Sequence, residues 1–199
     1  ADILIGTQMI VKGHDFPKVT LVGALAADMS LYTDDYRSGE RTFQLLTQAA
    51  GRAGRGDRPG EVVIQTYDPE HYAIEASAAQ DYEAFYEKEI RYRSLMGYPP
   101  VENLMAVLAA CEDEALLEKA CKYLKEYILR IKGQAQLNVI GPASPGVDKI
   151  KDIYRRVIYV KAPEYRTLVV LKDRMEQYIE INSGFQKMRI QFDFNPMNL

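Results

Sequence analysis

The sequence predicts a mixed α/β chain in two parts: a parallel-sheet α/β part, then a ferredoxin-like α+β part of order β-α-β-β-α-β. Three observations predict it. Short apolar runs that end in Gly or Asp flank one long helical pattern in the first 76 residues. The string "GYPP" at 97–100 stops a second helical run, because consecutive prolines cannot continue a helix. Beyond it, apolar strand-like runs and amphipathic helical runs alternate in the stated order.

In chain order, "DILIG" (2–6), "VTLVGALAAD" (19–28) and "GEVVIQTYDP" (60–69) read as strands, apolar enough to be buried on both faces. A helix is expected from about Arg37 to Arg55, and a second over 70–97, where Tyr82, Phe85, Tyr86, Ile90, Arg93 and Met96 recur at helical spacing. That Tyr-rich stretch reads as packing surface rather than as a base-stacking platform. "NLMAVLAAC" (103–111) reads as a strand, and 113–132 as a helix with Leu116, Leu117, Ala120, Leu124, Ile128 and Ile131 on one side. A strand at 137–146 runs into a Pro/Gly loop; a strand at 154–163, a helix at 164–181 and a strand at 188–196 follow. The expected division is 1–76, a linking helix and Pro-rich turn at 77–100, and 101–199.

Composition narrows the class. With 199 residues, 47% hydrophobic and 27% charged, the chain is ordinary globular material. A net charge of −3 argues against a wholly basic nucleic-acid-binding domain, although the middle is acidic and the tail mildly basic. Cys111 and Cys121 fit neither a zinc spacing nor a disulfide framework, so a reducing cytoplasm is the expected compartment and no metal site is expected within these residues. No apolar run approaches a membrane span and no signal peptide is visible. The opening "ADILIGTQ", without Met and already strand-like, leads us to expect a piece of a longer protein with further signals upstream.

The stretch "QAAGRAGRGDRPG" (48–60) carries the chemistry. On a helix, Gln48, Arg52 and Arg55 fall at i, i+4 and i+7 on one face. Each helical glycine costs about 1 kcal/mol relative to Ala, so Gly51 and Gly54 need a reason; removing bulk would let that face approach a ligand or another domain closely. One amide and two forked guanidiniums suit a polyphosphate. A solvated helix face and a flexible RNA-binding tail are the competing readings.

Gln48-Ala-Ala-Gly51-Arg52-Ala-Gly54-Arg55 resembles motif VI of superfamily 2 helicases, and "IGTQMIVKGHDFPKVTLV" (5–22) resembles their motif V. The longer strings "GTQMIVKGHDFPKVTLVGALAAD", "ERTFQLLTQAAGRAGRG" and "PGEVVIQTYDPEHYAI", with "MGYPP", "GPASP" and "FDFNP", are similar to the PriA (primosomal protein N′) family of replication-restart helicases. The resemblance spans essentially the whole chain. It implies that residues 1 to about 76 are the distal part of a second RecA-like lobe, and that 101–199 form the appended C-terminal domain. ATP and Mg would then lie between this lobe and a first lobe that carries the phosphate loop; no G-x-x-x-x-G-K-[ST] string exists here. The resemblance assigns Arg55 as the finger on the γ-phosphate, Arg52 beside it, and Gln48 as a bridge to the nucleotide or the other lobe. Asp15, with Gly13, Gly51 and Gly54, would border the nucleotide, although Asp15 reads equally well as a turn residue before Phe16-Pro17. Thr7, Gln8 and Lys12 are assigned to the DNA backbone. His14 receives no role.

The segment "DKIKDIYRRVIYVK" (148–161) interleaves Lys149, Lys151, Arg155, Arg156 and Lys161 with Tyr154 and Tyr159. Such a mixture can track a single strand by phosphate pairing and stacking, or can simply be the solvated face of a strand. We expect the first four cations to contact DNA. The family resemblance further implies forked and single-stranded DNA, single-stranded-DNA-binding protein and other primosome proteins as partners, and zinc in an upstream domain. On this reading the full-length protein is an ATP-dependent 3′→5′ DNA helicase, while the fragment alone hydrolyses no ATP. The alternatives are a DNA- or partner-binding module without ATPase activity, and a lobe of a superfamily 2 RNA helicase.

Overall fold

The computed structural model describes residues 2–7, 18–54 and 58–197. The chain separates into two compact units, dividing between Tyr92 and Arg93.

In the first unit, β1 (Leu21–Ala24) and β2 (Glu61–Ile64) pair in parallel, with Leu21 opposite Glu61 and Ala24 opposite Ile64. The connection between them carries α1 (Ser38–Ala50), as parallel pairing requires a crossover. Helix α1 buries Phe43, Leu46 and Ala49 on one stripe. Phe43 stacks on Phe85 with centroids 4.3 Å apart, within a cluster that includes Ala73 and Ala76; Leu46 packs with Ala27 and Ile74. The buried Asp28 carboxylate ties the end of β1 to the chain leaving β2: it accepts from the Thr66 hydroxyl, from Tyr67 N–H at 2.9 Å and from Asp68 N–H at 3.3 Å. The Thr66 hydroxyl and those amides hold its pKa below the usual carboxylate value of 3.8. Its contribution to stability is therefore present above that value and is lost as the pH falls through the lower, folded-state pKa.

Three expectations for this unit need correction. Residues 2–6 form no strand: Ile3 and Ile5 are 80% and 88% exposed, and no described residue pairs with them. An apolar run becomes a strand only when a ladder partner takes up its backbone groups. Likewise, β1 and β2 are not buried on both faces among the described residues, since Leu21 and Val63 are exposed. The run at 70–97 is two helices, α2 (Tyr72–Ala79) and α3 (Tyr82–Met96). Gln80 takes the left-handed conformation (φ 55) and the Asp81 carboxylate accepts from Ala84 N–H at 2.9 Å, so one helix is ended and the next is capped within two residues. Glu89 of α3 accepts from the Tyr72 hydroxyl at 2.7 Å, tying α3 to α2.

The second unit follows the expected order. It contains β3 (Asn103–Cys111), α4 (Glu114–Ile131), β4 (Asn138–Ala143), a two-residue β5 (Lys149–Ile150), β6 (Ile153–Ala162), α5 (Tyr165–Ile181) and β7 (Arg189–Phe194). The sheet is antiparallel, with strand order β4-β6-β3-β7 and β5 paired to β6, the ferredoxin-like arrangement of a split β-α-β. Alternate residues of β3 and β6, among them Met105, Val107, Ile158 and Val160, meet Leu117, Leu124 and Ile128 of α4 and Leu168, Leu171 and Met175 of α5. Cys111 and Cys121 are unpaired and buried in this core, and burial pushes the Cys121 thiol up to about 11.

The opposite face of this sheet is partly closed by the "GYPP" turn. Gly97 (φ 62) ends α3, Arg93 Nη1 donates to Pro99 O at 2.9 Å, and Lys161 of β6 donates from Nζ to Met96 O at 2.7 Å with the Tyr98 ring centroid 3.8 Å away. Lys161 is 5% exposed, and desolvation lowers its pKa from the ordinary lysine value. It is a packing cation, not part of a nucleic-acid surface. Among the described residues no helix is long and apolar enough to cross a membrane.

Candidate functional site

Helix α1 stops at Ala50, earlier than the pattern to Arg55 suggests. Gly51 N–H still donates to Thr47 O, but Arg52 and Ala53 donate to Ala49 and Ala50, three residues back, so the chain tightens into a turn. Gly54 then takes φ +71 and donates its N–H to Val19 O at 3.0 Å, and Glu61 N–H donates to Thr20 O at 2.8 Å. The first bond hooks the turn to the chain entering β1, and the second ties β2 to that same chain. Gln48 is exposed on the last turn of α1 and Arg52 follows within the turn, half-buried. Gln48 and Arg52, expected on one helical rod, therefore do not share one; Arg55 lies outside the described residues.

The two glycines have different reasons. A Cβ on Gly54 would stand 2.7 Å from Gly60 N, and one on Gly60 would stand 2.7 Å from Ala53 Cβ. The backbones of 53–54 and 60 cross at a distance only glycine permits. Gly54 thus makes room for Gly60, a partner that helical spacing could not have indicated. Gly51 is different: it has helical φ −64 and is exposed, and its nearest obstacle to a Cβ is Thr47 O at 3.5 Å. Among the described residues nothing requires a glycine there.

Thr7 is exposed in the irregular segment 2–7. Gln8, Lys12, Gly13, His14 and Asp15 lie outside the described residues.

In the second unit the expected DNA-contacting cations divide. Lys151 and Asp152 sit at the tip of the β5–β6 hairpin, both at positive φ (50 and 63) in a two-residue connection. Lys149 Nζ lies 3.0 Å from Asp152 Oδ1 and 4.6 Å from the Tyr154 centroid, while Tyr154 packs against the core. Arg155 Nη1 donates to Val147 O at 3.3 Å. Lys149, Lys151 and Arg155 are thus gathered at one end of the sheet. Arg156 is not with them. It is in phase with Ile158 and Val160, on the helix-facing side of β6, where its Nη2 pairs with Glu114 Oε1 at 2.8 Å and its Nε pairs with Glu118. Its assignment to a DNA surface is corrected accordingly. Strand alternation from Val160 back to Arg156 was the available signal.

Arg156→Ala is expected to destabilise the second unit by about 1–2 kcal/mol, discounted from the buried-pair range because both glutamates are partly exposed. DNA affinity should not change beyond that effect. Thermal melts beside fluorescence-anisotropy titrations check both halves; a selective loss of DNA affinity at unchanged stability would return Arg156 to the interface.

A parallel β-α-β pair bearing a Gln/Arg turn, followed by an antiparallel β-α-β-β-α-β unit with a basic hairpin, defines a two-unit chain of mixed α/β architecture. The family described as "Primosomal protein N C-terminal domain" matches residues 94–197, and the chain belongs to the PriA family of replication restart proteins. It is 41% identical to Replication restart protein PriA of Bacillus subtilis over 98% of this chain and 24% of that protein. It is 38% identical to the Synechocystis protein of that name (100% of this chain, 23% of that protein) and 38% identical to the Chlamydia trachomatis one (99% and 26%). The chain spans about a quarter of the length of these relatives.

Proposed function

We propose that this chain supplies the distal part of the second RecA-like lobe and the C-terminal domain of an ATP-dependent 3′→5′ DNA helicase that restarts stalled replication forks in the bacterial cytoplasm. The observation that carries the reading is the pair of strings "IGTQMIVKGHDF" and "QAAGRAGRG", one leading into a parallel strand and the other closing the helix beside it, in a chain of the PriA family. The proposed domain limits are 1–76, 77–100 and 101–199.

The residues at the end of α1 fit a polyphosphate. An exposed amide, a guanidinium and an exposed glycine backbone follow one another there within five residues. ATP with Mg would be held mainly by the absent first lobe. Arg55 would neutralise charge developing on the γ-phosphate, with Arg52 beside it and Gln48 bridging; Gly13, Asp15, Gly51 and Gly54 would border the nucleotide. Because the finger stands on a lobe separate from the phosphate loop, hydrolysis would require lobe closure and so be coupled to movement. Thr7, Gln8 and Lys12 would grip the DNA backbone, and the Lys149–Lys151–Arg155 hairpin would add sequence-independent phosphate contacts. Single-stranded-DNA-binding protein and other primosome proteins would be partners, and zinc would be bound upstream.

The test uses the full-length protein. Forked DNA should stimulate ATP hydrolysis and outcompete structured RNA. Equal stimulation by RNA would favour an RNA helicase, and no hydrolysis with either would favour a binding module without a motor. The isolated 199-residue chain should hydrolyse no ATP.

A further inference from the structure

Two buried helix hydroxyls of the first unit share one habit, and a third departs from it. Thr42 Oγ1 of α1 donates to Ser38 O at 2.8 Å, and Ser77 Oγ of α2 donates to Ala73 O. Each uses the carbonyl four residues back, the ordinary outlet for a hydroxyl on a helix. Thr47 of α1 makes no such bond to Phe43 O. Its Oγ1 is buried and has no hydrogen-bond partner among the described residues, although the residue as a whole is half-buried. A buried polar atom without a partner is costly, so it needs a reason. The position supplies one. Thr47 directly precedes Gln48, and its carbonyl accepts from Gly51 N–H at 3.0 Å, where α1 gives way to the tightened turn. Arg52 stands one residue beyond, with its Nε also buried.

We propose that Thr47 is a positioning residue: its hydroxyl is kept without a partner in the free lobe and accepts from the Arg52 guanidinium in the closed state that hydrolyses ATP. In this role, which rests on the nucleotide site proposed above for the turn after α1, Thr47 meets no nucleotide itself and acts through Arg52. A guanidinium carries five N–H donors, so Arg52 can keep its present contacts and still give one N–H to Thr47. Such a bond fixes the plane of the fork, which is what aims a guanidinium at phosphate oxygens. A hydroxyl already tied to Phe43 O would have to break that bond during closure; the orphan gives up nothing and gains a charge-assisted bond. Its cost falls on the free state alone, which biases the lobe toward closure.

Full-length protein carrying Thr47→Val or Thr47→Ser tests this. Valine keeps the shape of threonine and replaces only the hydroxyl, by a methyl group. Without nucleotide, Thr47→Val should melt at the wild-type temperature or slightly higher, because no hydrogen bond is lost. Its fork-stimulated kcat should fall about tenfold to a hundredfold, with KM for ATP and fork affinity within about threefold. Thr47→Ser keeps the hydroxyl and should hold kcat within about threefold of wild type. Added to Arg52→Ala, Thr47→Val should cost less than about threefold more, because the group it positions is gone. Single-turnover runs with enzyme in excess over radiolabelled ATP keep such slow rates readable. Wild-type kcat in Thr47→Val, an early melt, a serine variant as slow as valine, or an undiminished loss on top of Arg52→Ala would overturn the proposal. Arg55→Ala separates its failure from that of the nucleotide site. An inactive Arg55→Ala beside a fully active Thr47→Val overturns the role of Thr47 alone, whereas a fully active Arg55→Ala overturns both.

Discussion

Arg55→Ala in the full-length protein is expected to lower fork-stimulated ATP turnover about 10³–10⁵-fold, the range in which arginine fingers act in phosphoryl transfer. The group supplies charge where charge develops in the transition state, so the loss should fall on kcat rather than on KM. Arg55→Lys should rescue little, because an ammonium on a flexible stem reproduces neither the fork geometry nor the second hydrogen bond. Fork affinity without nucleotide should stay within about twofold, since the proposed DNA contacts lie on other residues. Steady-state phosphate release and fork-binding anisotropy on the same preparation measure both. Normal turnover with a large drop in DNA affinity would move Arg55 out of the nucleotide cleft, and the division of labour proposed for the lobe would go with it.

Gly60→Ala should be among the most damaging single methyls in the first unit. Its Cβ would enter the 53–54 backbone and stand 2.7 Å from Ala53 Cβ, where nothing flexible can yield. Overpacking of this kind costs about 1–3 kcal/mol. In a unit of this size that lowers the melting midpoint on the order of 10 °C. Gly54→Ala should be at least as severe, because the clash with Gly60 adds to a left-handed φ of +71. Gly51→Ala is the control with opposite sign. Its helical φ and 3.5 Å clearance predict unchanged or slightly higher stability, by up to about 1 kcal/mol. If Gly51→Ala is stable yet loses ATP turnover in the full-length protein, the nucleotide or the other lobe approaches the backbone at that glycine. If it melts early, the local geometry described for the turn is wrong. Differential scanning calorimetry on the three variants distinguishes these results.

The elements legible in the sequence were those whose pattern is set by one packed core. Leu117, Ala120, Leu124 and Ile128 repeat at helical spacing because α4 lies on the sheet, and residues 103–111 with Val157, Ile158, Val160 and Ala162 are apolar because β3 and β6 are its centre. What was missed depended on partners or on a single backbone angle. Residues 2–6 are apolar enough for a strand, but pairing decides strands and no described residue supplies it. Gln80 and Asp81 break the run read as one helix, through a left-handed residue and an Asp cap. The β5–β6 hairpin turns on Lys151-Asp152, which lacks the Asn-Gly signature. At the candidate site, Gln48 and Arg52 were found by motif, but the helix end between them depends on Gly54 crossing Gly60, a contact between segments that no local pattern encodes. Arg156 was misplaced by reading charge without strand phase.

The ladder that sets Met105 beside Phe194 also dictates a schedule. Strand β3 leaves the ribosome long before β7, at elongation rates of about 5–20 residues per second. For several seconds the nascent sheet must stand with its central strand open on one side. A chaperone that shields extended apolar segments would find its client there, at Leu104–Ala110, and a slow codon placed before β7 would lengthen the exposure without changing a single residue of the folded protein.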